Sequence, residues 1–251
     1  MKYFFPPLIV IVFLFSCGKK ETFKLRDINK VEIEHLMQDS LLNVRALEIY
    51  GENLCYFATS TGKIGAISPD SEILDYNFLI QQEFDGITPN FRSISGTKNN
   101  GLALSIGTPA LLFKMGSEED KVVYQENHPK AFYDSMDFWN DEEGIAIGDS
   151  TDGCLSVIIT RDGGNNWNKL SCDELPKGTE NEGAFAASDT NIAIVGDNTW
   201  VATTAGRVYF SPDKGKTWEV FDTPIVKDKE TEGIYSIDFY DELNGFAIGG
   251  D

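Results

Sequence analysis

The chain has few basic residues and is strongly acidic. Only 21 of its 251 residues are lysine or arginine, against 40 aspartates and glutamates, and the formal net charge is −19. Proteins that bind nucleic acid release counterions with clustered basic side chains, and the body of this chain has no such cluster. The composition therefore argues against a nucleic-acid partner, and the acidic surface is expected mainly to favour solubility.

Histidine and cysteine are also scarce. His35 and His128 lie far apart in the sequence, and the four cysteines include no Cys-x-x-Cys pair. Zinc sites and thioredoxin-type redox sites need such clusters. No Gly-x-Gly-x-x-Gly motif leads from a strand into a helix, and no set of haem ligands is present. We therefore predict neither a metal nor a cofactor.

The long apolar run needed for a membrane-spanning helix is missing. Tyr3 to Phe15 is apolar, but thirteen residues are fewer than the about 20 that span a bilayer. This run follows Lys2 and ends in Leu14-Phe15-Ser16-Cys17, which resembles the lipobox of bacterial lipoproteins. We predict a signal peptide over residues 1–16 and a lipid on Cys17. The alternative is an ordinary secretory signal with an incidental cysteine.

This reading predicts an exported protein, anchored to a membrane through its lipid and facing the periplasm. Gly18-Lys19-Lys20 lacks the acidic pair that would suggest display on the outer surface. Residues 17–43 are predicted to be a tether and lead-in, in which residues 31–42 form a short amphipathic helix or a first strand.

From residue 44 onward the chain repeats itself. Residues 135–149 (SMDFWNDEEGIAIGD) and 236–250 (SIDFYDELNGFAIGG) both read as a strand, a polar turn and a second strand ending in glycine. Residues 191–197 (NIAIVGD) read as that second strand once more. A chain in which such strand–turn–strand units recur is typical of propellers and solenoids.

Two segments 51 residues apart fit the Asp-box pattern S/T-x-D-x-G-x-x-W, and residues 68–70 are a degenerate copy. The aspartate is expected to accept backbone N–H bonds within a hairpin, the glycine to allow positive φ, and the tryptophan to pack beneath. The residues given this structural role are Thr160, Asp162, Gly164, Trp167, Ser211, Asp213, Gly215 and Trp218.

Together these patterns predict an all-β fold, a β-propeller of four-stranded blades with Asp-box hairpins, C-terminally incomplete. A jelly roll or a solenoid is the alternative. The propeller is predicted to occupy residues 44–251, with blades at about 44–82, 91–126, 132–172 and 182–223 and a partial blade at 233–251. We expect the polypeptide to be an N-terminal fragment, since an unclosed ring exposes apolar faces and strand edges.

The Asp boxes and the strands that end in Ile147-Gly148-Asp149 and Ile248-Gly249-Gly250 carry a family resemblance. Residues 44–251 resemble the photosystem II assembly and stability factor family, in particular exported lipoproteins from non-photosynthetic bacteria that are often loosely labelled oxidoreductases. They are also similar to BNR-repeat sialidases and sortilin-like propellers. The first resemblance implies a scaffold that binds a protein partner and assists the assembly or stability of a membrane complex.

In a four-stranded propeller blade the first strand starts at the functional face, and the loop after the second strand returns to that face. This places one set of residues around a common mouth: Arg45, Arg92, Tyr133, Asp134, Asp149, Asp152, Asp197, Trp200 and Tyr235. Trp200 is either an exposed anchor for a partner or a residue packed between blades.

A carbohydrate-active role is the alternative, as a sialidase-like hydrolase or a glycan-binding module. A sialidase needs three arginines and a Tyr–Glu pair; this chain offers at most Arg45, Arg92 and Arg207, and its sequence suggests no Tyr–Glu pair. We therefore assign no catalytic residue and favour a protein without enzymatic activity. An oxidoreductase is less well supported still.

The remaining cysteines predict one disulfide, between Cys154 and Cys172. If Thr160 pairs with Asn166 across the hairpin, the same antiparallel register places the two cysteines directly opposite each other. Two free thiols are the alternative. Cys55 has no partner in this scheme.

Overall fold

A computed structural model describes residues 27–50, 54–68, 78–115 and 120–250. The described residues up to His35 belong to a unit of their own, exposed and without regular secondary structure, and a second unit begins at Leu36. The helix or strand predicted over residues 31–42 is wrong, because this stretch carries only a turn at its end. No described segment is a helix long and apolar enough to cross a membrane. The predicted signal peptide and Cys17 lie outside the described residues.

The described strands form four antiparallel sheets of four strands and one two-stranded hairpin. The first two sheets contain β1 Val44–Tyr50, β2 Leu54–Thr59, β3 Lys63–Ile67, β4 Phe78–Gln81, β5 Asn90–Gly96, β6 Gly101–Ile106, β7 Ala110–Met115 and β8 Lys121–Glu126. The others contain β9 Tyr133–Phe138, β10 Gly144–Thr151, β11 Cys154–Thr160, β12 Asn168–Lys169, β13 Ile192–Val195, β14 Asn198–Ala202, β15 Arg207–Ser211, β16 Glu219–Asp222, β17 Ile234–Asp241 and β18 Asn244–Gly249.

Within every sheet the hydrogen-bonded order of the strands follows the chain. The first strands of successive sheets, β1, β5, β9, β13 and β17, are neighbours in space, so these strands line one axis. This arrangement confirms the predicted all-β propeller fold: the described residues form four four-stranded blades, with a two-stranded hairpin in fifth place.

The hydrophobic core is divided among the spaces between blades. In β10, Ile145 and Ile147 pack towards the fourth blade, whereas Ala146 between them packs towards the second. Val157 and Ile158 of β11 divide in the same way. Successive side chains of a strand point to opposite faces, and both faces of an inner blade are covered by its neighbours. This is why these strands are apolar at almost every position.

The two S/T-x-D-x-G-x-x-W segments form hairpins with nearly the same hydrogen bonds. Asp162 Oδ1 accepts the backbone N–H groups of Asn165 and Asn166 at 3.0 and 2.9 Å. Asp213 Oδ1 accepts the equivalent pair, from residues 216 and 217, at 3.1 and 2.8 Å. The aspartates therefore satisfy donors inside the turn, which is the structural role that the residue pattern predicts.

The hairpin glycines and tryptophans join each blade to the preceding one. Gly164 and Gly215 both have φ of +77°, and a Cβ on them would lie 2.8 Å from Leu102 and 2.6 Å from Ile159, respectively. Glycine is thus required both for its backbone conformation and for the close approach to the neighbouring blade. Trp167 is buried there in the same apolar cluster as Leu102.

Cys154 and Cys172 form the predicted disulfide, with their Cα atoms 5.5 Å apart. The register from which we predicted it is wrong by one residue, since Ile159 pairs with Asn168 rather than with Trp167. Strand β12 is only two residues long, and the chain then turns at 171–174, where Glu174 N–H donates to the carbonyl of residue 171. This turn, rather than strand pairing, brings Cys172 to Cys154.

The fourth blade also corrects a sequence assignment. Residues 191–197 are not a second strand, because β13 lies within them and is the first strand of its sheet, paired only with β14. Residues 183–189, where we expected the first strand to begin, contain no strand. The assignment failed because NIAIVGD matches the ends of second strands in the other blades, while the hydrogen-bond partners decide the order.

Candidate functional site

The propeller has two ends, which we call the mouth and the hairpin face. The mouth is the end at which β1, β5, β9 and β17 begin, and the turn between β10 and β11 returns to it. The hairpin face carries the two turns at 160–167 and 211–218. Strand direction alone fixes this division, since the strands of each blade alternate in direction.

Two arginines from neighbouring innermost strands lie at the mouth. Arg45 on β1 is half-buried, and its buried Nε has no hydrogen-bond partner among the described residues. Arg92 on β5 donates from Nη1 to Asn90 Oδ1 at 3.0 Å. Burial and the nearby charge of Arg45 lower the pKa of the Arg92 guanidinium. In the described part of the chain neither arginine forms an ion pair, so both retain donors for an anion.

Two carboxyl groups of the third blade, predicted at the mouth, lie at different depths. Asp134 is fully buried, and burial followed by the charge of Asp149 raises its pKa well above the usual range. Asp149 is half-buried, and burial raises its pKa to about 6. The backbone N–H of Ala184 lies near both and favours their charged forms. Only Asp149 reaches a surface cleft, of about 600 Å³, which Asp152 also lines.

Asp152 and Tyr235 occupy the rim. Asp152 is exposed, with φ of +57°, and its carboxylate lies 3.8 Å from His128 Nε2. The hydroxyl of Tyr235 hydrogen-bonds to the carbonyl oxygens of Thr231 and Gly250. Asp152 is therefore available to a ligand, whereas the hydroxyl of Tyr235 is engaged by the backbone.

Two aromatic residues predicted at the mouth belong to the core. Tyr133 is fully buried and donates to Glu126 Oε2 at 2.6 Å. Trp200 is buried between the fourth blade and β17–β18, where it stacks on Phe239. Its prediction as an exposed anchor is wrong, and the alternative of packing between blades holds. The physical reason is that Trp200 lies in the middle of β14 and faces the next blade.

Asp197 lies on the hairpin face and not at the mouth. It occupies the turn between β13 and β14, a turn from a first to a second strand, and its carboxylate lies 3.4 Å from Lys214 Nζ in the nearby hairpin. The prediction placed it wrongly because residues 191–197 were assigned to a second strand.

The third arginine considered for a sialidase-like site is occupied elsewhere. Arg207 Nε donates to Glu182 Oε1 at 3.0 Å, and its Nη2 pairs with the same fully buried carboxylate. Burial opposes ionisation of Glu182, but hydrogen bonds from Arg207, Thr179 and Thr203 outweigh it and lower the pKa. The described residues thus do not assemble three arginines on one carboxylate-binding site.

Three acidic residues at the centre of the propeller were not predicted from the sequence: Glu48 on β1, Asp137 on β9 and Asp189 before β13. A cavity of about 340 Å³ is lined by Arg45, Glu48 and Asp189. Burial and the charge of Asp137 raise the pKa of Glu48 to about 7. A signal did exist for Glu48 and Asp137, since each interrupts an innermost strand, but Asp189 lies in an irregular segment. Among the described residues no group of three histidine, cysteine or acidic side chains is placed to hold a metal.

Comparisons with known proteins find similarity among solved structures. No protein-family model and no curated protein matches the chain. Among solved structures, YCF48 bound to D1 peptide is 20% identical with a TM-score of 0.53, over 86% of this chain and 64% of that one. YCF48 from Cyanidioschyzon merolae is 17% identical with a TM-score of 0.53, over 86% and 67%. U3-55K is 11% identical with a TM-score of 0.57, over 82% and 57%.

These likenesses show the propeller fold. The chain spans 64% of the length of the first of these structures, and the identities are low. Ligand binding therefore has to be argued from the residues of this chain.

Proposed function

We propose that this propeller is a non-catalytic scaffold that binds a carboxylate-bearing segment of a protein partner at its mouth. The observation that carries the proposal is the Arg45–Arg92 pair. A buried donor without a partner costs about 1–3 kcal/mol, and more beside a like charge, so an arriving carboxylate would relieve an existing penalty. Guanidinium groups also bind carboxylates in a bidentate geometry.

The surroundings favour a peptide segment over a small substrate. Asp149 and Asp152 line a cleft at the same end of the propeller. The mouth therefore offers both signs of charge, which suits an extended segment with mixed charges. The YCF48 structure bound to D1 peptide supports a peptide ligand for a propeller of this fold.

The proposal includes the cellular context that the sequence suggests. The protein is exported, anchored through a lipid on Cys17 and faces the periplasm, where it assists the assembly or stability of a membrane complex. Two or three acyl chains give stable attachment, since each buried CH₂ contributes about 0.8 kcal/mol. Replacing Cys17→Ala should release the protein from membranes, and unchanged detergent partitioning would contradict the anchor.

Peptide binding tests the mouth directly. We would select peptides from a library with free C-terminal carboxylates, and measure the affinity of the selected peptides for wild type, Arg45→Ala and Arg92→Ala. Each variant is expected to weaken binding at least about tenfold, which corresponds to 1.4 kcal/mol. Lys216→Ala removes an exposed positive charge on the hairpin face and should leave affinity unchanged.

A parallel screen of glycosides and sialosides tests the carbohydrate alternative. Turnover that is abolished by Arg92→Ala would overturn the scaffold proposal. Equal peptide affinity in wild type and both arginine variants would overturn the assignment of the mouth.

A further inference from the structure

The cavity beside the arginine pair contains acidic groups that have no role in the proposed function so far. Arg45, Glu48 and Asp189 line the same space of about 340 Å³, together with the apolar side chains of Ile94 and Met136. Glu48 is three residues after Arg45 on the same innermost strand, and Asp189 enters from the segment that precedes β13. One cavity therefore holds a cation with an unsatisfied donor and two carboxyl groups.

The backbone holds Asp189 in place. Its φ is +52°, a conformation that aspartate tolerates better than most residues. The hydroxyl of Ser93 and the N–H of Ile94 lie near the carboxylate, while Asp189 Oδ1 is buried and forms no hydrogen bond with a described residue. The carboxyl group is thus fixed in the cavity that Arg45 also lines, yet its charge is poorly compensated.

Charged and titratable groups from every neighbouring element surround Asp189 and Glu48. Arg45 lies on β1, and Cys55 on β2 is near enough to Glu48 for the carboxylate charge to raise the pKa of its thiol, after the larger effect of burial. Asp134 and Asp137 on β9 lie close enough to Asp189 for their charges to interact. Asp149 on β10 interacts with Asp134 in the same way, and Arg92 on β5 lies near Arg45. These five carboxyl groups disfavour one another's ionisation, because each is at least half-buried and like charges lie nearby.

Both key groups change charge near neutral pH. Burial, the charge of Glu48 and the charge of Asp137 raise the pKa of Asp189 to about 8. Burial and the charge of Asp137 raise the pKa of Glu48 to about 7. In the shared cavity, ionised carboxyls oppose the positive charge of Arg45, and protonated carboxyls leave that charge available to attract an anion.

We propose that anion binding at Arg45, beside Arg92, is coupled to proton uptake by Asp189 and Glu48, which line the same cavity as Arg45. This inference rests on the proposed function and adds a regulator to the same site. The bound anion disfavours negative charge on the two carboxyls, so each takes up a proton from solvent as the anion binds. By linkage, affinity rises as the pH falls, about tenfold for each unit by which the anion raises a carboxyl pKa.

Inorganic sulfate is a suitable probe, because its charge is constant across the relevant range. The chain has five arginines, so the Nε–Hε NMR signals of ¹⁵N-arginine protein can be followed individually. We would titrate sulfate at constant ionic strength at about pH 6 and about pH 8.5, on either side of the carboxyl pKa values. The signals of Arg45 and Arg92 are expected to report a dissociation constant about tenfold lower at the lower pH.

Neutral variants test the coupling. Asp189→Asn with Glu48→Gln should bind sulfate at both pH values with the affinity that wild type has at the lower one. Asp197→Asn on the hairpin face is the matched control and should keep the wild-type ratio. If the double variant does not fold, ¹³C NMR of the wild-type carboxyls replaces it, and saturating sulfate must raise the pKa of Asp189 or Glu48.

The outcomes separate this inference from the proposed function. Equal sulfate affinity at both pH values in wild type, or a pH ratio that persists in the double variant, would overturn the coupling and leave the arginine site intact. Arg45 and Arg92 signals that sulfate does not move at either pH would overturn the anion site and the coupling with it.

Discussion

The indole of Trp200 lies stacked on the ring of Phe239, with centroids 3.8 Å apart and planes inclined by 10°. Phe210 packs against the same indole at 5.3 Å. The contact joins β14 of the fourth blade to β17, across the space that Ile234 and Ile237 also fill. Trp200 is therefore one of the main apolar links between the fourth blade and the hairpin that follows it.

We expect Trp200→Ala to lower the free energy of unfolding by about 3–5 kcal/mol, because it removes a buried aromatic side chain and leaves a cavity. Tyr240→Ala is the matched control. Tyr240 is an aromatic residue of the β17–β18 hairpin, and it is 86% exposed. This substitution should change stability by less than about 0.5 kcal/mol. Urea unfolding measures both, and similar losses in the two variants would contradict the assignment of Trp200 to the core.

The Glu182–Arg207 ion pair predicts a second large effect. The side chain of Glu182 has no solvent exposure, and that of Arg207 is 12% exposed. Glu182→Gln should leave the guanidinium without its counter-charge and cost about 3–5 kcal/mol. Glu180→Gln, two residues earlier on an exposed position, is the control and should be nearly neutral. A loss below about 1 kcal/mol for Glu182→Gln would show that the pair is solvated.

The buried carboxyls predict that stability rises as the pH is lowered from alkaline to mildly acidic values. In the folded protein burial raises the pKa of Asp189 to about 8, of Glu48 to about 7, and of Asp137 and Asp149 to about 6. The unfolded chain titrates these groups near 4, so the folded state binds more protons between about pH 4 and 8. Their stabilising contribution is fully present below the unfolded pKa and is lost as the pH rises through the folded values.

Urea unfolding at several pH values measures this linkage, with a slope of about 1.4 kcal/mol per pH unit for each extra proton bound. Asp189→Asn should flatten the slope between about pH 7 and 8.5. A second group acts in the opposite sense: hydrogen bonds from Lys214 and Asn140 lower the pKa of Glu143 to about 2, so its contribution disappears in strong acid. Higher stability at pH 8.5 than at pH 6 would contradict the linkage.

The disulfide predicts the pattern of thiol labelling. With Cys17 replaced, the oxidised and denatured protein should label only at Cys55, and at three cysteines after reduction. Cys172→Ser should lower the free energy of unfolding by about 2 kcal/mol, less than the loop-entropy value, because the hairpin between the cysteines is already ordered. Three labelled cysteines without reduction would refute the bond.

Local sequence was sufficient to predict the fold, because each blade repeats the same strand and turn signals. The hairpin hydrogen bonds of Asp162 and Asp213 follow from residues within one turn. The Cys154–Cys172 bond was predicted despite a register error of one residue, because the turn after β12 brings the two Cα atoms to 5.5 Å, within the range that a disulfide accepts.

The site was harder to predict, because its residues come from different blades and lie close together only in the folded order of the strands. Asp197 and Trp200 were misplaced by a single error, in which β13 was read as a second strand. Asp189 lies in a segment without secondary structure, and no sequence pattern shows that it meets Glu48 of a blade more than a hundred residues earlier. Such contacts depend on how blades pack around the axis.

Site-specific crosslinking tests the central claim, that the mouth binds a segment of a protein partner. A photo-crosslinking amino acid would replace Ala187, which is exposed and lines the cavity beside Arg45, or Lys216 on the hairpin face, in the anchored protein within envelope membranes. We predict that one partner peptide bearing a carboxylate crosslinks at position 187 but not at 216, and that Arg45→Ala abolishes the product. Equal crosslinking at both positions, or a product at 187 that survives Arg45→Ala, would contradict the account.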